Sequence, residues 1–98
     1  MDGHSFLIFT NFVGRQRQEV ADLYAEVESK DILCTEAWFM LMAMGGQPDA
    51  SNEDKQNAKD TRQTASRELE DARRAAKEAA RKLAYYEDFL KQCTPSAT

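Results

Sequence analysis

The chain has few of the residues that build catalytic or metal sites in small proteins. Its 98 residues include one histidine, His4, and two cysteines, Cys34 and Cys93, and neither cysteine belongs to a CxxC or Cys/His pair. That spacing predicts no metal centre, and no partner for proton transfer by His4 can be named. Glycine-rich phosphate loops and nucleophile motifs are also missing. We therefore expect no enzymatic activity, no cofactor and no metal.

Long apolar runs are missing as well. The longest are residues 6–9 and 37–44, whereas a transmembrane helix needs about 20 apolar residues. The opening Met-Asp-Gly-His lacks the basic region of a signal peptide. We expect a soluble, cytoplasmic protein that forms a single domain over residues 1–98. Its cysteines should be reduced in that compartment, although the sequence leaves a disulfide between them open.

Proline and glycine are scarce, and neither occurs between Ser51 and Cys93. Small or apolar residues in this segment recur in steps of three and four, with one stutter near Ala65, which is typical of a heptad repeat. The pattern predicts one continuous helix over residues 51–93, about 60 Å long and capped by Ser51. The predicted seam consists of Ala58, Thr61, Ala65, Leu69, Ala72, Ala76, Ala79, Leu83, Tyr86, Leu90 and Cys93.

The first half predicts two shorter helices, over about residues 5–29 and 31–44, separated by a turn at Lys30-Asp31 and with Ser5 as the first N-cap. Taken alone, the aromatic and branched run Phe6–Val13 could be a strand, but no second strand-like run exists to pair with it. Glycine at the end of the second helix should take a left-handed conformation. The predicted fold is all-α, an elongated helical hairpin. Two shorter N-terminal helices pack on one long, alanine-rich, coiled-coil-like helix, and the tail 94–98 is expected to fray.

Residues 37–44 are apolar on every side of the predicted helix. Clustered methionine gives an adaptable apolar surface, and tryptophan is frequent among interface anchors. The alternative is an intramolecular core, and both interpretations hold if two copies share that core. The partner-binding residues predicted here are Trp38, Phe39, Met40, Met42 and Met44.

The acidic charge lies in the first half of the chain. Residues 1–52 carry three basic and eight acidic side chains (net −5), and residues 53–98 carry ten basic and nine acidic ones (net +1). Glu19, Asp22 and Glu26 share one face of the first predicted helix. Such a stripe could imitate a nucleic-acid backbone and occupy a basic groove on a partner, or it could be a solvated face. We include these three residues among the candidate partner-binding residues.

The second half of the chain carries a basic stripe that could bind nucleic acid. Phosphates could be bound along such a row of cations. However, acidic residues alternate with it and the total charge is −4, so we expect a salt-bridged outer face and no nucleic-acid binding. The stripe consists of Arg67, Arg74, Lys77 and Arg81.

Together these features predict a non-enzymatic protein-binding module, a small helical adaptor or inhibitor that docks on a larger protein complex as a homodimer. Its size and acidic front would suit an inhibitor of a host complex of the kind that phages or mobile elements encode, although no motif selects this. The alternative is a structural subunit or assembly factor that bridges the subunits of a larger complex. No membrane association is expected.

Overall fold

The computed structural model describes residues 1–93 and forms two long helices joined by a short loop. Helix α1 spans Gly3–Gly45 and helix α2 spans Asn52–Cys93. The molecule measures 77 × 16 × 13 Å, and its described residues contain no strand. The predicted all-α, elongated hairpin is therefore confirmed. The predicted fraying of the tail 94–98 lies outside the described residues.

The prediction of two N-terminal helices is wrong, because α1 runs through Lys30-Asp31 without a break. Its buried and half-buried residues recur in alternating steps of three and four from Val13 to Met44. Lys30 occupies one of these seam positions and directs its ammonium group to Glu68 of α2, with Nζ 3.3 Å from Oε2. A long lysine side chain can keep its charge at the edge of an apolar seam, so the residue that suggested a turn is compatible with a helix.

Both ends of α1 differ from the expectation. The N-cap is Asp2 rather than Ser5, and its Oδ1 accepts a hydrogen bond from the Ser5 amide at 2.7 Å. At the other end Gly46 has φ −87° and ψ −7°, so the predicted left-handed conformation is absent there. The helix stops near this point because Gln47 precedes Pro48, and a residue before proline is disfavoured in helical conformation.

The predicted start and seam of α2 are largely confirmed. The Ser51 hydroxyl accepts a hydrogen bond from the Asp54 amide at 3.0 Å, which satisfies one of the free amides of the first turn. The predicted seam residues are buried or half-buried, with Thr61 as the exception. The Thr61 hydroxyl instead donates to the backbone oxygen of Asn57 at 2.8 Å, and the seam is interrupted between Ala58 and Ala65.

The core is a narrow strip between the helices. Alanine on the seam lets the two backbones approach closely. At the end remote from the loop, aromatic rings fill the gap: Phe9 meets Phe89 with ring centroids 5.4 Å apart, and Phe12 meets Tyr86 at 5.1 Å, both edge to face. The buried residues are Val13, Ala37, Ala58, Leu69 and Ala76, of which Val13 and Ala76 have no accessible surface.

The two cysteines lie far apart. Cys34 Sγ is 3.5 Å from Ser66 Oγ of α2, and Cys93 lies 27 residues beyond Ser66 along the same helix. That separation corresponds to about 40 Å, whereas a disulfide needs Cα atoms within about 7 Å. Both thiols are free, and the hairpin rules out a disulfide within one chain.

Candidate protein-binding surface

The apolar residues near the loop end of α1 are exposed. Residues 52–64 of α2, which face this part of α1, are mostly polar, and only one row of α1 side chains packs against them. Six large apolar side chains in this part of α1 retain between 43% and 59% of their accessible surface. Large apolar side chains exposed together on one segment are typical of interaction sites. This loop-end apolar surface consists of Ile32, Leu33, Trp38, Phe39, Met40 and Met42.

The heptad register divides α1 into two edges, one on either side of the seam. Residues seven positions apart lie on the same line of a coiled-coil helix. One line, the ion-paired edge, contains Arg17, Tyr24, Asp31 and Trp38. The other line, the groove edge, contains Phe12, Glu19, Glu26, Leu33 and Met40.

Charges on the ion-paired edge are matched by α2. Arg17 Nε lies 2.9 Å from Glu87 Oε1, and Asp31 Oδ1 lies 3.9 Å from Arg73 Nη2. All four side chains are solvent-exposed, so these pairs set the register of the helices more than they stabilise them. Trp38 stands at the loop end of this edge and packs edge to face on Phe39, with ring centroids 5.6 Å apart.

The groove edge borders open clefts between the helices. The gap beside the interrupted seam, the loop-end groove, has a volume of about 460 Å³. Its apolar wall is formed by Leu33, Ala37 and Met40 of α1 and by Ala65 of α2, and three carboxylates surround it: Glu36, Asp60 and Glu68. A second cleft of about 330 Å³ continues along the same edge past Glu26 and Ala75. A third hollow, of about 500 Å³, lies at the remote end near Ile8 and Phe12 and is lined by no residue of α2.

The groove edge carries unmatched negative charge. Two of the three predicted acidic residues, Glu19 and Glu26, lie on this line, and Asp22 lies on the adjoining heptad line together with Glu36. Asp22 accepts a hydrogen bond from Gln18 Nε2 at 2.9 Å. Within residues 1–93, no ion pair involves Glu19, Glu26 or Glu36. An acidic strip therefore runs beside the apolar wall.

The predicted apolar residues are distributed over different surfaces. Trp38, Phe39 and Met42 lie away from the groove, and Met40 lines it. Met44 is half-buried on the seam between the helices, so it does not join the exposed set. The predicted partner-binding set did not include Ile32, Leu33 and Glu36. A heptad continued through Lys30 would have placed Leu33 on the same line as Met40.

Two residues of the predicted basic stripe, Arg74 and Arg81, form ion pairs within α2, and no ion pair of Arg67 or Lys77 occurs among residues 1–93. Arg81 Nη2 donates to Glu78 Oε1 at 2.6 Å, and this hydrogen bond lowers the pKa of Glu78 and raises that of Arg81. Arg74 lies 3.4 Å from Glu70 and 3.7 Å from Asp71. Two of the four stripe residues are therefore salt-bridged within their own helix, and all four are exposed.

Other kinds of site have little support. Among residues 1–93, no three or more His, Cys, Asp or Glu side chains are grouped so that they could hold a metal ion. Neither of the two helices in that range is apolar enough over its length to cross a membrane. No protein-family model, curated protein or solved structure shows significant similarity to this chain. Function must therefore be argued from the surface itself.

Proposed function

We propose that the protein is a non-enzymatic protein-binding module, a helical adaptor or inhibitor that docks on a larger protein through the loop end of the hairpin. The observation that carries this proposal is the exposure of six large apolar side chains on residues 32–42 of α1. Aromatic and methionine side chains are enriched at the centres of interfaces and supply most of their binding energy. A rigid two-helix scaffold would present them without a large ordering cost.

The total exposed area supports the need for a partner. The chain exposes 7335 Å². A compact monomer of 11.1 kDa would expose about 5,700 Å², so the hairpin shows an excess of about 1,600 Å². That is at least as much as one protein contributes to a standard interface.

We propose that part of this area is covered by a second copy. Phe39 and Met42 lie outside the groove, and a two-fold contact through them would bring two hairpins together as a four-helix arrangement and leave Trp38 for the larger partner. Light scattering coupled to gel filtration should give twice the chain mass for the wild type. The Phe39→Asp variant should give the monomer mass with unchanged helical circular dichroism. A wild type that is monomeric at high micromolar concentration would rule out this dimer.

Affinity capture from the native host tests the partner proposal. Trp38 makes its aromatic contact with Phe39 of the same helix, so Trp38→Ala should lower the free energy of unfolding by about 1 kcal/mol or less. It should nevertheless remove a specifically captured protein. Tyr24→Ala is the matched control, because Tyr24 is similarly exposed on the same edge. If Trp38→Ala instead unfolds the hairpin, the ring belongs to the core and the proposal is wrong.

A structural subunit that bridges other proteins is the second candidate. The length of 77 Å supports it, since a hairpin of that length could contact two subunits at opposite ends. Solution behaviour separates the candidates. An adaptor or inhibitor should be a stable, soluble oligomer alone, whereas a bridging subunit should need its neighbours for solubility.

A further inference from the structure

The loop-end groove combines an apolar wall with negative charge. Leu33 and Met40 are both exposed on its wall. Of the surrounding carboxylates, Glu68 is paired with Lys30 at 3.3 Å, and Asp60 accepts a hydrogen bond from the neutral Gln56 amide at 2.9 Å. Glu36 has no ion-pair partner among residues 1–93. The groove therefore keeps a net negative charge beside exposed apolar surface.

We propose, on the basis of the protein-binding function above, that this groove binds a cationic amphipathic helix of a partner protein. Apolar side chains of the partner would insert between Leu33 and Met40, and its lysine or arginine side chains would pair with Glu36 and Asp60. A helix is the fitting element, because the groove lies between two helices whose backbone groups are already paired. An extended segment would find no free backbone donors or acceptors there.

The acidic strip sets the length of the partner helix. From Met40 the groove edge continues past Glu26 to Glu19, a distance of 21 residues along α1. That corresponds to about 32 Å, or six helical turns. A partner helix of about 20 residues with basic side chains on one flank would neutralise the strip along its whole length.

A second copy of this chain is a poorer match. Its exposed apolar segment, residues 32–42, carries Glu36 as its one charged residue and would bring carboxylate against carboxylate. Exposed aromatic side chains and cations do occur together at the remote end of α2, where Tyr85 and Phe89 lie near Arg81 and Lys82. Arg81 is already paired with Glu78 at 2.6 Å, which leaves few cations there to neutralise Glu36 and the acidic strip.

The test measures binding of a designed peptide to the full chain. The probe is a labelled 20-residue helical peptide with leucines at i, i+3, i+4 and i+7 and lysines on the flanks of that face. The reference peptide has the same leucines and glutamates in place of the lysines. We expect saturable binding of the lysine peptide, weakened by salt, and no binding of the glutamate peptide. Equal binding of both peptides, or of neither, would overturn the proposal.

Two variants locate the site. Glu36→Lys should weaken binding by about tenfold or more. Glu28→Lys is the matched control, because Glu28 is an exposed glutamate of α1 away from the groove edge, and it should leave affinity nearly unchanged. Equal losses in both variants would mean diffuse attraction to an acidic protein and would overturn the groove assignment. So would a result in which Glu36→Lys changes only the oligomer mass, since the occupant would then be a second copy.

These outcomes are separable from the general proposal. Affinity capture that depends on Trp38 but is insensitive to Glu36→Lys would leave the protein-binding function in place and remove the groove from it. If capture depends on neither Trp38 nor Glu36, the proposed protein-binding function itself is wrong.

Discussion

Phe12 of α1 packs edge to face on Tyr86 of α2, with ring centroids 5.1 Å apart. No aromatic ring pair links the helices nearer the loop among the described residues. Edge-to-face pairs contribute about 0.5–1.5 kcal/mol beyond the area that they bury. Tyr86→Leu should therefore lower the free energy of unfolding by about that amount, measured by urea denaturation at fixed protein concentration. Tyr85→Leu, at an exposed neighbouring ring, should have a clearly smaller effect.

The continuity of α1 predicts the response to proline. Ser29 lies in mid-helix and is exposed, so Ser29→Pro should cost about 3 kcal/mol or more through a lost hydrogen bond and a steric clash. Asn52 is the first residue of α2, where proline is favourable, and Asn52→Pro should be tolerated. Far-UV circular dichroism and thermal melts compare the two. A Ser29→Pro variant that melts like the wild type would mean that the chain turns near residue 30 after all.

The alanine seam should reject larger side chains. Ala76 has no accessible surface, and Ala76→Leu should overpack the contact between the helices at a cost of about 1–3 kcal/mol. Ala84 lies on the exposed side of the same helix, so Ala84→Leu should be nearly neutral. Leucine and alanine have similar helix propensity, and the contrast therefore reports packing alone. Similar melting temperatures for the two variants would contradict the assigned buried face.

Stability should depend on the ionisation of Asp2. The Ser5 amide donates to its carboxylate and holds the pKa below the ordinary value of 3.8. A carboxyl group whose pKa is lowered by folding stabilises the fold above its unfolded pKa, and that contribution disappears as the pH falls through the folded pKa. Asp2→Ala should thus melt below the wild type at pH 7, with a gap that narrows below pH 3.8. Asp2→Asn, which keeps an N-cap acceptor, should show a smaller gap at neutral pH.

Nucleic acid should not bind. Arg74 and Arg81 are engaged with carboxylates of their own helix, and the chain carries a net charge of −4. Titration into labelled single-stranded and duplex DNA and RNA at low salt should show no saturable binding. Submicromolar affinity that falls steeply with salt and is lost in Arg74→Glu would contradict this expectation.

The sequence was sufficient to predict α2 and insufficient to predict α1, for a physical reason. The alanine and leucine seam of α2 is visible because polar residues surround it. In α1 the regular heptad passes through Gln16 and Lys30, two polar residues that suggest an interruption when read by hydropathy alone. Lys30 stays on the seam because Glu68 of α2 receives its ammonium group, and that contact depends on a residue 38 positions away.

The sequence was sufficient to predict which segment carries the candidate surface, but not which of its side chains are exposed and which line the groove. Residues 37–44 are apolar on every side, so some of them had to remain outside a two-helix contact. Which ones did so depended on the register of α1 against α2, which placed Met44 on the seam and Met40 beside the groove. The groove lies where Thr61 is exposed and the seam of α2 is interrupted. The sequence showed a stutter in the heptad near this point, but it did not show how the stutter changes the packing of the helices.

The hairpin places its best contacts between residues that are most remote in sequence. Phe9 and Phe89 are 80 residues apart, whereas Ala37 and Ala65 on either side of the loop-end groove are separated by 28. Closing the longer loop costs about 0.9 kcal/mol more in chain entropy. We therefore expect the weakly packed end near the loop to pair first and the aromatic end to form after the rate-limiting step of folding. Substitutions among these rings should then act chiefly by accelerating unfolding, so that the aromatic end sets the lifetime of the folded hairpin more than the speed at which it forms.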